Sequence, residues 1–398
     1  MTAISSPDTV GYDVEALRRE QFPITRDTVY FNHAGISPLP QRTFDALTEA
    51  NRRLLLDPTG SYDPWFTGKQ AAFNETMRAL INARRVEEII GITSTSLGLN
   101  LVAQSLPWQR GQNIVLCDAE FPTNVYPWMR LREQHGVELR LVPRQSGGLT
   151  VDLLARFVDS KTRLVTVSAV QFFTGHRADL NALGAFCHER GILFAVDAIQ
   201  AAGHLPLDVQ AAHIDILATG GQKSLMGPPG QGFLYVRDEV IGQTHPTFVG
   251  PDAVVDHEHW LKYHLTLKDG AARFGLGTTN FSGIVGLLES VTMLRELGLA
   301  AIDRHTTALI DYAIDQLRGI GCEVITPTVH GPIVTFRAAP TDAATTELHT
   351  ALKARRIFLA KHWDAQDVAH LRASVHCYNT AQDIDRLIAA LKELIHHD

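Results

Sequence analysis

Seven short apolar, β-branched segments lie between residues 88 and 237, at 88–93, 113–117, 138–142, 163–168, 192–197, 214–219 and 232–237. Helix-period stretches separate several of them, notably 96–106, 123–135 and 179–190. A strand that is apolar on both faces must be covered on both faces, and intervening helices are what cover a parallel sheet. The expected architecture is α/β, a large domain with a mainly parallel seven-stranded sheet flanked by helices. Ligands of such sheets collect outside the carboxyl ends of the strands, so the residues just after each segment are the candidates for chemistry. No GxGxxG follows the first strand and no GxxxxGK[ST] is present. Nucleotide-binding folds therefore lose support.

After this region the pattern changes. A long helical stretch from about Gly283 to Leu317 precedes strand-like Cys322–Thr326 and Ile333–Arg337, a helix at 341–354, a strand near Leu371–Val375 and a last helix at 381–396. Residues 29–282 are thus expected to form the large domain and 283–398 a smaller α+β domain. Residues 1–28, with a short amphipathic helix at Val14–Gln21 ended by Pro23, form an N-terminal segment expected to pack with the small domain. At 398 residues the chain can bury two cores.

Composition removes several classes of partner. A formal net charge of −7 leaves no basic footprint for nucleic acid. No apolar run approaches membrane-spanning length, and Met1–Asp8 has no signal-peptide pattern. The four cysteines (Cys117, Cys187, Cys322 and Cys377) form no CxxC, which fits a reducing, cytoplasmic setting. The histidines show no metal-ligand spacing, so no metal is expected, and His396-His397 is read as a solvated tail.

Within Asp215–Val236, Lys223 is isolated among Gly220, Gly221, Gly227, Gly230 and Gly232. A lysine held there by rigid strands is partly desolvated, which lowers its pKa and makes it a Schiff-base nucleophile. An exposed loop lysine is the ordinary alternative. Upstream, Asp197 ends the buried run Leu193–Asp197, where capping the next helix is the ordinary alternative. Together the two are the pair that pyridoxal 5'-phosphate requires: a lysine for the Schiff base and a carboxylate that keeps the pyridine nitrogen protonated, so that the ring acts as an electron sink. The hydroxyl cluster Thr93–Ser96, at a helix start after the first strand, exceeds what capping needs and suits a phosphate. Phe121 follows the second strand, where an aromatic ring can stack on a cofactor. Asn32 and His33 stand in a small-residue loop and are candidate ligand contacts, although turn contacts are the commoner fate.

With these residues assembled, the chain resembles the class V aminotransferase family of fold-type I pyridoxal-phosphate enzymes, which takes in cysteine desulfurases, C–S lyases, kynureninases and isopenicillin N epimerase-like proteins. The resemblance runs from about Tyr30 to the last helix. It rests on Asp197-Ala-Ile-Gln200, the Lys223 loop followed by Gly227-Pro228, the Arg273-Phe-Gly-Leu-Gly-Thr278 segment, and Arg372-Ala-Ser374 with Tyr378-Asn379 after it. It implies Lys223 as the Schiff-base lysine and Asp197 as the pyridinium partner. Gln200 is implied at the cofactor's phenolic oxygen, Thr95, Ser96 and Gln222 at its phosphate, and Phe121 on its ring. Thr278 is implied to reach the phosphate of the other subunit, hence a homodimer with shared sites. Arg372 is implied to clamp the substrate α-carboxylate, the bidentate geometry that guanidinium offers.

Departures from the family pattern bear on the reaction. Gln222 replaces the usual histidine before the lysine, and Gly220 replaces a hydroxyl or carboxylate residue that Thr219 is expected to supplant. Phe121 replaces the stacking histidine of desulfurases, and Phe172 replaces a common asparagine. The loop Ile357–Leu371 lacks the cysteine that a group of desulfurases uses to carry persulfide. The resemblance so amended implies an enzyme acting on a small α-amino acid, with Lys223 as general base at Cα, and a lyase-like (C–S, β-eliminating) or epimerase-like outcome. Epimerisation needs a proton donor on the opposite face, for which His33 is the candidate. Transamination or desulfurase-type activity is the alternative, and a non-catalytic dimeric scaffold is the alternative of another class.

Overall fold

The computed structural model describes residues 10–143, 148–256 and 258–395, so His396 and His397 lie outside the described residues. A short strand β1 (Val29–Tyr30) precedes the large sheet. That sheet comprises β2 (Ile89–Ile92), β3 (Asn113–Cys117), β4 (Glu138–Val142), β5 (Thr162–Ser168), β6 (Leu193–Asp197), β7 (Ile216–Gly220) and β8 (Gly232–Val236). Its order is β2-β8-β7-β6-β5-β3-β4, and only β8 runs against its neighbours. Alternate residues of each strand feed two cores, as the two-residue pleat requires. Val115, Phe194, Leu217 and Phe233 join Phe73 and Met77 on one face. Leu116, Ala195, Ile216 and Leu234 join Leu99, Val102 and Trp128 on the other. Full burial of each such large apolar side chain is worth roughly 1.5–3 kcal/mol. The carboxyl ends of β2, β3, β5, β6 and β7 consequently share one edge of a rigid sheet.

The smaller sheet contains β9 (Glu323–Val324), β10 (Ile333–Arg337), β12 (Ala360–Trp363) and β13 (Ala369–Ser374), while β11 (Ile357–Phe358) pairs in parallel with β1. The segment 357–371 is therefore not a plain loop, since β11, all of β12 and the first residues of β13 fall within it. Packing also crosses two expected domain limits. Val29 and Phe31 are buried in the small-domain core, drawn there by the β1–β11 pairing. At the other limit, Ile284, Leu287, Leu288 and Val291 are buried in the large-domain core. The helix Phe281–Leu297 that carries them packs on Gln41–Leu56 and Thr67–Leu80. The expected long helix is broken at Gly298, whose φ of 86° suits glycine and stops the first helix before Leu299–Gly319 begins.

In the N-terminal segment, helix Val14–Gln21 is capped by Asp13, whose side chain accepts from Ala16 N–H. Arg18 pairs with Asp383 at 2.7 Å, and Phe22 stacks on Tyr378 with ring centres 4.1 Å apart. These contacts tie the described part of the segment to residues 378–383. Among the described residues no helix is long and apolar enough to cross a membrane, and no cluster of His, Cys, Asp or Glu has the arrangement of a metal site.

Candidate active site

Asp197 closes β6 and is 3% exposed. One of its oxygens accepts from Ile199 N–H at 3.0 Å, which shapes the turn after the strand. Burial pushes its carboxyl up to about 7, against the hydrogen bond and the attraction of Lys223, with Glu120 adding to the rise. Lys223 lies in the turn between β7 and β8. Burial brings its ammonium down to about 8, with Arg372 acting in the same direction and Asp197 opposing. Its Nζ stands 5.2 Å from the centre of the Phe121 ring. Phe121 is 37% exposed, and its ring meets Phe172 in a T-shaped arrangement at 5.0 Å.

Arg372 comes from the other domain, on β13. Its side chain is buried, Nη1 donates to the Phe172 carbonyl at 2.7 Å, and Nε has no partner. Among the described residues it has no carboxylate partner, and burial brings its pKa down to about 10. A buried guanidinium without an anion is a costly arrangement that an incoming carboxylate relieves.

Around this centre, the helix Thr95–Ser105 starts after β2, with Ser94 as its N-cap accepting from Leu97 N–H. Thr95 Oγ1 accepts from Gly220 N–H at 2.8 Å, pinning the helix start to the end of β7. Ser96 Oγ is 2.9 Å from Thr123 Oγ1. Backbone N–H groups of a first helical turn lack intrahelical partners and favour an anion. Gln222 folds beside Gly220, where a Cβ would come within 2.6 Å of Gln222 Oε1. Thr219 is fully buried and its hydroxyl donates to the Gly220 carbonyl, so it does not supply the replacement hydroxyl expected of it. Gln200 is buried and donates through Nε2 to the Ala34 carbonyl at 3.0 Å.

Two of the expected site residues are held by other contacts, and a third is exposed. Asn32 bridges to Ser374, two residues beyond Arg372, and its Oδ1 is buried without a partner. His33 is 1% exposed, bonded through Nδ1 to Ser37 Oγ at 2.9 Å and packed among Tyr30, His376 and Tyr378. Ser37 N–H in turn donates to the Gln222 carbonyl at 2.8 Å, one residue before Lys223. Thr278 is exposed.

Two groups escaped the sequence reading. Glu120, buried beside Phe121, accepts from Ser168 N–H at 3.0 Å, from the Ser168 hydroxyl, from Gln171 Nε2 at 2.6 Å and from Asn124 Nδ2 at 2.9 Å. Its one sequence signal was a carboxylate directly before the stacking candidate. His362, on β12, meets Phe172 edge-on at 6.0 Å. It had no signal in a segment read as loop.

The donor set fits pyridoxal 5'-phosphate. Asp197 is a buried carboxylate with a single hydrogen bond and no ion pair among the described residues, which suits a cationic ring nitrogen. Lys223 is a desolvated amine, Phe121 a partly exposed aromatic ring, and Thr95 and Ser96 stand at a helix N-terminus.

The sequence matches the aminotransferase class-V family model over residues 29–387. A probable cysteine desulfurase of Methanothermobacter thermautotrophicus is 32% identical, covering 94% of this chain and 97% of that one. The chain belongs to the class-V aminotransferase family. The apo structure of a cysteine desulfurase from Thermococcus onnurineus NA1 superposes with a TM-score of 0.87 at 25% identity, covering 99% of both chains. A cystine C–S lyase in complex with its reaction product cysteine persulfide superposes at 0.85 with 24% identity, covering 94% of this chain and 99% of that one. At that identity it speaks for the fold, which matches the α/β architecture expected. All four cysteines are buried and form no disulfide, and burial pushes the Cys322 thiol up to about 11 and the Cys187 thiol up to about 12.

Proposed function

We propose that the protein is a pyridoxal-phosphate-dependent lyase that breaks the Cβ–S bond of cysteine or a close derivative and releases the sulfur as a small product. The observation that carries this reading is the buried, anion-free guanidinium of Arg372 standing across Phe121 and Phe172 from the desolvated Lys223. That pairing suits an α-amino acid: the guanidinium takes the carboxylate, and the amine works at Cα. Relatives named as cysteine desulfurases support sulfur amino acids as the substrate class.

In this reading Arg372 binds and orients the carboxylate, giving up an uncompensated buried charge as it does so. Asp197 would hold the cofactor's ring nitrogen, and Thr95, Ser96 and Gln222 would hold its phosphate. The bound cofactor supplies an electron sink for the charge that develops at Cα. Lys223, brought near neutrality by burial, accepts the Cα proton, as a general base of pKa close to the working pH does best. Phe121 excludes water and carries no proton. With every cysteine buried and none in 357–371, no thiol is placed to take sulfur from the substrate, which favours release over persulfide transfer.

We extend the reading to a homodimer in the cytoplasm, organised as a large and a small domain with the N-terminal segment on the latter. Trp260, Leu261, Tyr263 and Leu265 are 77–88% exposed on one loop, around a concavity of about 670 Å³ that Trp260, Tyr263 and Leu265 help to line. So much exposed apolar surface suits a second copy. Thr278, exposed nearby in sequence, would reach the partner's phosphate. Four unbridged thiols fit a reducing compartment.

The test is the visible spectrum of the protein with added pyridoxal phosphate, beside Lys223→Ala, followed by titration with a panel of amino acids. The expected result is a band lost in the variant, shifted by cysteine, with pyruvate and sulfide released. Without a lysine-dependent band the scaffold alternative stands instead.

A further inference from the structure

His362 stands on the wall of the site and has no part in the reading above. On the antiparallel pair β12–β13, His362 lies opposite His370, and Ala360 lies opposite Arg372. Cross-strand partners share a face, as do residues two apart on a strand, so His362 and Arg372 project from the same side of the small sheet. The His362 ring meets Phe172 edge-on at 6.0 Å, and Phe172 meets Phe121, the ring beside Lys223 Nζ. Arg372 holds the Phe172 carbonyl from the other side at 2.7 Å. A run of contacts thus links His362 through Phe172 to Phe121 and Lys223, with Arg372 on the Phe172 carbonyl.

His362 Nε2 is buried and has no hydrogen-bond partner. Burial lowers its pKa to about 4, and Arg372 and Lys223 both push in the same direction, so the ring is neutral at pH 7. Other buried histidines also carry an unpartnered nitrogen: His33, His176 and His204. Their pKa shifts have no contribution from Lys223 or Arg372. Among these four, only His362 stands within the field of both groups that would hold an amino acid.

An α-amino acid with its carboxylate on Arg372 and its Cα within reach of Lys223 must direct its side chain at the remaining wall. Phe121 and Phe172 offer that wall carbon, and His362 offers it a nitrogen. We infer that His362 Nε2 hydrogen-bonds the heteroatom on the substrate's β-carbon, selecting amino acids with a polar leaving group there and holding that group as it departs. This rests on the lyase reading. In the elimination the Cα proton goes to Lys223, the Cα–H electron pair becomes the second Cα–Cβ bond, and the Cβ–S pair leaves on sulfur. His362 transfers no proton. Its neutral ring, in the tautomer with hydrogen on Nε2, lends an N–H to the sulfur as that atom gains charge.

The experiment compares wild-type holoenzyme with His362→Leu and His362→Gln in two reactions, pyruvate release from cysteine and deuterium exchange at Cα of alanine. Alanine presents the same carboxylate and Cα but no heteroatom on its β-carbon. Leucine is expected to lower kcat/KM for cysteine by about 10- to 100-fold, the range of a hydrogen bond to a charged group, and to leave alanine exchange within about twofold. Glutamine, which keeps an amide N–H, should recover much of the cysteine activity. As a readout apart from turnover, cysteine should displace the His362 ring signal of ¹⁵N-histidine-labelled protein while alanine does not, the signal being identified by its absence in His362→Gln. Unchanged cysteine turnover in His362→Leu overturns the inference, as does an equal fall in both reactions, which marks a structural role. Absence of alanine exchange in the wild type overturns the lyase reading itself. The ring signal then decides His362 alone, and no displacement by cysteine overturns it.

Discussion

Two buried carboxylates stand at the carboxyl edge of the large sheet, and they are treated in opposite ways. Glu120 is bonded by the Ser168 backbone and hydroxyl, Gln171 and Asn124. Asp197 receives one backbone N–H, and burial leaves its carboxyl at about 7. Four donors around Glu120 make a scaffold that ties the ends of β3 and β5 together. One donor at Asp197 leaves an oxygen uncommitted. The same contrast separates Arg18, which pairs with Asp383, from Arg372, which pairs with no carboxylate among the described residues. Where a buried polar group is fully bonded it serves folding, and where it is left short it is held ready for a ligand.

The sharpest way to break this contrast is at the groups left short. Lys223→Ala should abolish the lysine-dependent visible band and lower pyruvate release from cysteine by about 10⁴-fold or more, since it removes both nucleophile and base. Arg372→Ala should lower kcat/KM by on the order of 10²-fold or more, with Arg372→Lys recovering only part, because an ammonium cannot make the bidentate contact. Steady-state kinetics decide both. Near-normal kinetics in Arg372→Ala would leave its missing partner without a functional meaning.

The carboxylates themselves give a milder, two-sided test in the cofactor-free protein. Glu120→Ala strands the donors of Ser168, Gln171 and Asn124 and should cost roughly 3 kcal/mol in denaturant unfolding. Asp197→Asn removes a buried, under-bonded carboxylate and should change cofactor-free stability by less than about 1 kcal/mol, while weakening pyridoxal-phosphate binding. Equal stability losses in the two variants would erase the distinction.

The sequence reading reached the parts of this molecule in which neighbours in the chain decide the structure. All seven large-sheet strands lie within two residues of their expected positions, because most are contiguous apolar runs bounded by polar turns, while β4 (Glu138-Leu-Arg-Leu-Val142) alternates. Lys223 and Asp197 were legible for the same reason, each ending or following such a run. Strand β12, Ala360-Lys-His-Trp363, was not legible: its residues are intermediate or exposed and show no apolar alternation. Its pairing with β13 makes it a strand, and His362 was hidden with it. The donors to Glu120 come from residues 124, 168 and 171, so spacing alone could not show that it was bonded. Gly298 looked like one more residue in a helical pattern, although its left-handed φ ends the helix there.

A third kind of buried polar group tests how far the contrast extends. His33, His204 and His376 form an imidazole cluster, with His204 and His376 ring centres 3.9 Å apart and His33 and His376 at 5.3 Å. His33 Nε2 and His204 Nδ1 lack partners, yet all three rings are buried and none is poised for a ligand in the proposed function. Their folding is tolerated because they are neutral. Burial lowers His33 and His204 well below the ordinary histidine range and His376 to about 4, with His376 adding to the shifts of His33 and His204. The unfolded chain takes up protons near pH 6.5 that the folded cluster refuses, so stability is complete above about pH 6.5 and falls as the pH drops toward 4. Each histidine should remove about 1 kcal/mol between pH 6.5 and 5.5. Asp197 has the opposite sign, its raised pKa costing stability as pH rises from about 4 to 7, but that contribution cancels between variants that share it. Denaturant unfolding of wild type and His204→Leu at pH 7.5 and 5.5 isolates one ring. The variant should lose about 1.4 kcal/mol less on acidification. An equal loss in both proteins would mean that the cluster already holds its protons when folded, and that burial without partners is not by itself enough to keep a group uncharged.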